Sequence, residues 1–388
     1  MYPIARPHLP VKRLVSLLQF WLYKKKTIKT FEGAAASFFK RKYAVSYSSG
    51  RVALQQLFEA LGITGKNIAV PSYTCIVVPY AIELAGNTPV FVEPQDIHRF
   101  VPTTAELAQH ADVVVQTHMF GRVLDAGVGG ANTLVIEDAC LAVGSSIGGK
   151  PAGTLGDVSL FSFNKSKQLS CVGGGILVTD DEAIYHALIQ SQRYTSHWWD
   201  EVMHVAKVFL LALYYKKPVY SFFKAIRFSS ATATDFSLAS CTLDTEYQKG
   251  FLASQAILGL GQLKDASTIL TKRRIIADWY DTELRGVSGI RIPDIHPDTE
   301  LSHYWVVLKK DRQDVRKKLY AQGINTGIAN EYSCPTTPHY APQHDAALFT
   351  GTTDIGDSII NLPYYIGLTK KDVVRICTIF KQVYGESR

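Results

Sequence analysis

Between residues 44 and 180, short β-branched runs alternate with stretches that carry helical apolar spacing, and this alternation leaves few architectures open. Strands are predicted at 67–70, 88–93, 112–117, 133–138, 158–163 and 174–179, with helical segments such as 51–61 between them. Strands joined by crossover helices build a mostly parallel sheet covered on both faces. Ligands of such sheets sit at the carboxyl ends of the strands. A second regime begins near Glu246, where 251–263 has helical spacing that continues toward Leu284. A strand at 304–308 and helices at 314–322 and 371–384 follow it. A chain of 388 residues, 47% of them hydrophobic, exceeds what one core of ~250–300 residues holds. The expected division is a large α/β domain over 1–245 and a smaller α/β domain over 246–388.

Charge is uneven. Residues 1–50 hold ten Lys/Arg against the single acid Glu32, whereas the other 338 residues hold 31 bases and 33 acids. The basic segment contains an apolar stretch between Val11 and Lys26 that is far shorter than the ~20 residues a spanning helix needs. A lysine triplet stands where a signal sequence would place small residues, so no export is expected. A second basic and aromatic segment, 203–228, is interrupted by Pro218; from Met203 to Thr234 there are five Lys/Arg and no acid. Both segments suit peripheral contact with an anionic membrane surface, or a helix covering the protein's own core. The aromatics come with long aliphatics rather than as spaced stacking platforms, so nucleic acid is not the expected partner. Six cysteines without CxxC or metal-ligand spacing predict reduced thiols, no metal site and a cytoplasmic location.

Three stretches carry chemistry. The predicted strand 158–163 runs into Asn164-Lys165-Ser166-Lys167 and then Gly173-Gly174-Gly175, which puts Ser162 and two lysines at the ligand edge of the sheet. The strand 133–138 ends in Asp138, an acid that needs a cation, hydrogen-bond donors or a helix start to cap. The turn Ser48-Ser49-Gly50 opens a helix, whose free N–H groups and dipole favour phosphate. A ligand with a phosphate, a cationic ring nitrogen and a carbonyl answers all three, and pyridoxal 5'-phosphate has this set.

With these stretches in place the chain resembles the DegT/DnrJ/EryC1/StrS family of fold-type-I, pyridoxal-phosphate-dependent sugar aminotransferases. The resemblance runs through Ser48-Ser49-Gly50, Pro71-Ser72-Tyr73-Thr74, Thr117 to Gly121, Glu137-Asp138-Ala139, Phe161-Ser162-Phe163, Lys167, the glycine triplet, Gln255 to Gly259 and Asn361-Leu362-Pro363. It implies a large domain with a mostly parallel seven-stranded sheet. Lys167, and not Lys165, would bind the cofactor aldehyde; Asp138 would hold the ring nitrogen protonated. Ser162 and the Ser49-Gly50-Arg51 turn would contact the phosphate. Cys75 stands where the family has an aromatic residue over the ring, and Leu141 where it has Gln or His.

Arg51 replaces a threonine, and Gln248-Lys249-Gly250 replaces Asn-Tyr-Arg. His118 is expected to be structural, while His339, Arg193 and Tyr194 are candidates for substrate contact. The implied reaction moves an amino group from a donor, usually glutamate in this family, to a keto-sugar nucleotide or related carbonyl, within a homodimer. Related dehydratases replace the lysine with histidine, so Lys167 favours transamination. The alternative from another class is a non-catalytic member that binds a membrane or partner.

Overall fold

The structure, a computed structural model, describes residues 1–17, 24–124, 133–192, 195–216, 219–222, 249–327 and 332–387. Two helices, α1 (Val11–Ser16) and α2 (Lys24–Phe38), precede the first strand. The strands then follow as β1 (Tyr43–Tyr47), β2 (Asn67–Pro71), β3 (Thr88–Val92), β4 (Val113–Thr117), β5 (Leu134–Asp138), β6 (Ser146–Ile147), β7 (Lys150–Pro151), β8 (Val158–Ser162) and β9 (Gly175–Thr179). Helices α3 (Gly50–Ala60), α4 (Val77–Leu84) and α5 (Thr104–Ala108) cross between the early strands, and α6 (Glu182–Ser191) and α7 (Trp198–Tyr214) follow β9.

Seven of these strands form one sheet in the order β1-β9-β8-β5-β4-β2-β3. The pairs β2–β3, β2–β4, β4–β5 and β5–β8 are parallel, and only β9 runs against its neighbours β1 and β8. The short pair β6–β7 forms a separate hairpin. All six predicted strands in this region are found, each within a residue or two of its expected ends.

Period-two alternation sorts the sheet residues between two cores. In β9, Ile176 and Val178 face the core shared with α1 and α2, whereas Leu177 faces the core shared with α3 and α4. Helix α3 buries Val52, Leu54, Leu57 and Phe58 in that second core. Side chains of this size contribute about 1.5–3 kcal/mol each when fully buried.

The predicted helix after residue 250 is α8 (Ala253–Leu284), 32 residues without a break and roughly 48 Å long. Its first half, through Ala256, Leu258, Ala266 and Ile269, belongs to the core of the large sheet. Its second half, through Ile276, Tyr280 and Leu284, belongs to a separate core. That second core also covers the three-stranded antiparallel sheet β10 (Ile290–Arg291), β11 (Tyr304–Leu308) and β12 (Ile359–Leu362), with helices α9 (Arg312–Ala321) and α11 (Lys370–Glu386); α10 (Thr350–Ser358) precedes β12.

The N-terminus crosses to this C-terminal part: Tyr2 bridges Ile324, its hydroxyl donates to Asp372, and Ile4 accepts from Tyr364 N–H. Residues 1–4 therefore pack with the C-terminal sheet rather than with the large sheet expected of 1–245. The expected boundary at 245/246 lies outside the described residues, as do Phe20 and Trp21 of the basic N-terminal segment.

Candidate active site

The glycine triplet explains itself sterically. Gly174 has φ +98°, and a Cβ on it would stand 2.7 Å from the Phe251 ring. Gly175 lies between β1 and β8, registered against Tyr47 on one side and Ser162 on the other. A Cβ there would stand 2.5 Å from Gly50 N and 2.6 Å from Ser49 C, closer than any side chain tolerates. Absence of side chains thus lets the start of α3 sit directly on the ends of β8 and β9. Gly174 N–H donates to the Ser48 carbonyl at 2.8 Å and fixes the turn. Ser49 caps α3, its hydroxyl accepting from Val52 N–H at 3.2 Å.

A Cβ on Gly50 would lie 3.7 Å from Ser162 Oγ and 3.9 Å from Cys140 Sγ, so the helix start, the end of β8 and the turn after β5 meet at one point. Ser162 is buried, yet among the described residues its hydroxyl has no hydrogen-bond partner. An unpartnered hydroxyl beside the positive end of a helix is suited to an anion.

The lysine loop is closed by Phe163, whose carbonyl accepts from Cys171 N–H at 2.9 Å and Gly173 N–H at 3.2 Å. Lys165 is exposed and Lys167 half-buried, and the Lys167 N–H donates to the Asn164 carbonyl. The neighbouring Gln168 anchors the loop, donating to the carbonyls of Leu141 at 3.0 Å and Glu300 at 3.1 Å. Gln168 therefore ties the lysine to both the β5 turn and the C-terminal part.

Glu137 and Asp138 are adjacent acids with different surroundings. Glu137 is fully buried and accepts from Gly153 N–H at 2.5 Å, Leu155 N–H at 3.1 Å and Ser159 Oγ at 2.9 Å, with His118 Nε2 at 2.8 Å. Burial alone would raise its carboxyl, but the His118 bond and the backbone donors outweigh it and hold the group at about 2. His118 is accordingly structural, as expected.

Asp138 is 6% exposed, and one of its oxygens accepts from Cys140 N–H at 3.1 Å. It caps a turn and not a helix, because no helix follows β5 until after β9. No described cation lies within ion-pair distance of its carboxylate. A buried acid left in this state is costly unless a positive group is bound against it.

The surroundings of Cys75 bring the charged candidates together. Burial raises this thiol, and Lys167, Asp138 and Arg51 all act on it electrostatically. Cys140 is raised well above the ordinary thiol range by burial and Asp138, with Lys167 opposing. His303, just before β11, is pushed down to about 3 by burial and then by Lys167. Cys75, Cys140 and His303 all feel the Lys167 charge, and among the described residues no ion pair joins Lys167 to Asp138. An amine, a buried acid, an unpartnered hydroxyl and a helix start are the groups that fit pyridoxal phosphate.

His303, Gln168 and Cys140 were not among the predicted site residues. Only Ser302-His303-Tyr304, entering a predicted strand, could have pointed to one of them. His339 Nε2 lies 3.0 Å from Glu83, at the C-terminal end of α4, and its ring packs on Tyr80 and Tyr340. Arg193 and Tyr194 lie outside the described residues.

Over most of its length the chain is similar to known proteins of one family. The profile of the DegT/DnrJ/EryC1/StrS aminotransferase family matches residues 11–208 and 247–381. GDP-perosamine synthase of Escherichia coli O157:H7 is 26% identical over 380 residues, covering 92% of this chain and 90% of that protein. The spore coat polysaccharide biosynthesis protein SpsC of Bacillus subtilis is 26% identical over 374 residues, covering 91% and 88%. In fold, the crystal structure of DesI in the presence of its TDP-sugar product superposes with a TM-score of 0.78 at 20% identity, covering 99% of this chain and 93% of that one.

Proposed function

We propose that this chain, which belongs to the DegT/DnrJ/EryC1/StrS aminotransferase family, moves an amino group from glutamate to a keto-sugar nucleotide or related carbonyl in cell-envelope polysaccharide or secondary-metabolite biosynthesis. The family is pyridoxal-phosphate-dependent, and its curated relatives are sugar aminotransferases of polysaccharide and antibiotic pathways. The observation that supports the site reading is the meeting of the α3 start, the end of β8 and the turn after Asp138, where a Cβ on Gly50 would lie 3.7 Å from Ser162 Oγ and 3.9 Å from Cys140 Sγ.

In this reading Ser162, the N–H groups at the start of α3 and Arg51 hold the phosphate; Asp138 holds the proton of the ring nitrogen. Bound pyridoxal phosphate supplies an electron sink for charge that develops at the substrate carbon. Lys167 Nζ would hold the cofactor in the resting enzyme and, freed by the incoming amine, would act as the base that takes the proton from the substrate carbon. Gln168 keeps that amine from swinging away, since its amide is fastened at two carbonyls. Neutral His303 offers a hydrogen bond to substrate beside Lys167 without adding a competing charge.

The enzyme works as a homodimer in the cytoplasm, with residues 246–388 as its small domain, and touches the inner membrane face. Among the described residues no helix is long and apolar enough to cross a membrane. The test is chemical. Borohydride reduction of the holoenzyme should label Lys167, Lys167→Ala should abolish the label, and Asp138→Asn should retain it while losing glutamate-dependent transfer of labelled nitrogen to a panel of keto-sugar nucleotides. A label on another lysine, or none, would overturn the assignment.

A further inference from the structure

Helix α7 presents its faces in reverse. Two of its polar residues point inward: the buried Glu201 accepts from Ala253 N–H at 2.7 Å and Ser254 N–H at 3.0 Å, the first N–H groups of α8. His204 lies 2.8 Å from Ser254 Oγ and 2.9 Å from the Cys171 carbonyl. Val205 and Val208 join the core that holds α1 and α2. Apolar side chains point outward, with Trp198 71%, Trp199 55%, Leu210 66% and Leu213 50% exposed. Of the eleven large apolar side chains exposed among the described residues, seven fall within 198–222, so this is one patch and not scatter.

Lys207 and Lys216 are exposed on and just beyond α7. Lys25, Lys26 and Lys29 are exposed on α2, whose buried face belongs to the same core as Val205 and Val208. The acids of these two helices are all engaged. Asp200 pairs with Lys249 at 2.9 Å, Glu201 bonds the start of α8, and Glu32 bonds Ser46 N–H and Oγ. A second copy of this chain fits poorly, because a two-fold contact would set lysines against lysines. An anionic surface turns the same charges into attraction.

We propose that the outer face of α7, flanked by Lys207 and Lys216, is the docking site for an anionic lipid bilayer, with Trp and Leu side chains entering the boundary between headgroups and acyl chains. The proposal rests on the membrane contact inferred above and assigns it a surface. Because His204 bonds the carbonyl four residues after Lys167, the docked face and the lysine loop form one hydrogen-bonded unit. A docked enzyme holds its cleft in a fixed relation to the bilayer.

Flotation of the holoenzyme with phosphatidylcholine vesicles, with and without phosphatidylglycerol, tests this. The wild type should float with the anionic vesicles at low salt and not with phosphatidylcholine alone. Lys207→Gln and Lys216→Gln should each lower partition about fivefold, and Leu210→Ser with Leu213→Ser should remove it, while all variants keep bound cofactor. If the wild type floats with neither vesicle, the membrane contact itself is overturned. If the wild type and all variants float equally, membrane contact stands and this surface is wrong. If the wild type does not float and the double serine variant sediments as a smaller species, the face is a contact between copies.

Discussion

Gly175→Ala is the sharpest test of the cofactor cradle, because its effect can be worked from distances. The added Cβ would stand 2.5 Å from Gly50 N, about 0.9 Å inside the ~3.4 Å at which ordinary contact begins. Gly175 cannot retreat, since β1 and β8 hold it from both sides through Tyr47 and Ser162. The start of α3 must move instead. A shift of about 0.9 Å takes a 2.9 Å hydrogen bond out to ~3.8 Å, beyond useful range. Bonds to a charged group are worth about 1.5–3 kcal/mol each, so losing two weakens cofactor binding by about 3–6 kcal/mol, or roughly 10²–10⁴-fold in Kd.

Titration of the apo-protein with pyridoxal phosphate, followed by visible absorbance, measures this. Ser162→Ala removes one bond without moving backbone and should cost about one such step, roughly 10–150-fold. A Gly175→Ala protein that binds within about threefold of wild type would refute the reasoning, since α3 would then not depend on that contact. If Gly175→Ala fails to fold, an unchanged Kd in Ser162→Ala would refute the phosphate site by itself.

Glu137→Gln tests the structural half of the acid pair. The folded group titrates at about 2, below its ordinary 4.5, so the fold favours the ionised form. This stabilisation, about 3 kcal/mol, is fully present above pH ~4.5 and is lost as the pH falls toward 2. Urea midpoints should show Glu137→Gln less stable at neutral pH, with the gap narrowing only below about pH 4.5; a gap that stays constant to pH 3 would count against it. Gly33→Ala, on the exposed face of α2 with nothing within 4 Å of the new Cβ, should stabilise by about 0.8–1 kcal/mol and raise Tm by roughly 1–3 °C in a thermal melt.

The large sheet was legible because its strands are short, β-branched and separated by helix-length segments, so period and spacing agreed. The long helix was legible in type but not in role. Nothing in its spacing says that Ala256 and Tyr280 face different cores, since that depends on where the second sheet packs. The same holds for Met1 to Ile4, whose pairing with the C-terminal sheet is a contact across more than 300 residues. His339 stands in a Pro-His-Tyr loop. Glu83 engages it, and no local pattern announces a partner 256 residues away.

The two adjacent acids mark where a single sequence could have yielded more. Side chains of a strand alternate, so in β5 Ile136 and Asp138 share one face while Val135 and Glu137 share the other. Ile136 packs in the core beneath α3 and α4, and Val135 in the core of the opposite face with Leu107. Asp138 therefore points to the side where α3 begins and Cys75 lies, whereas Glu137 points to the His118 and Gly153 side. Once one apolar neighbour is assigned a face, both acids follow: one is spent on holding turns together, and the other is left facing the cleft. That division makes Asp138, and not Glu137, the acid available to a cationic ring. Exchanging the two residues would then do more than relocate a charge, because it would put a glutamate in the cleft and a shorter acid out of reach of the turn donors that Glu137 now satisfies.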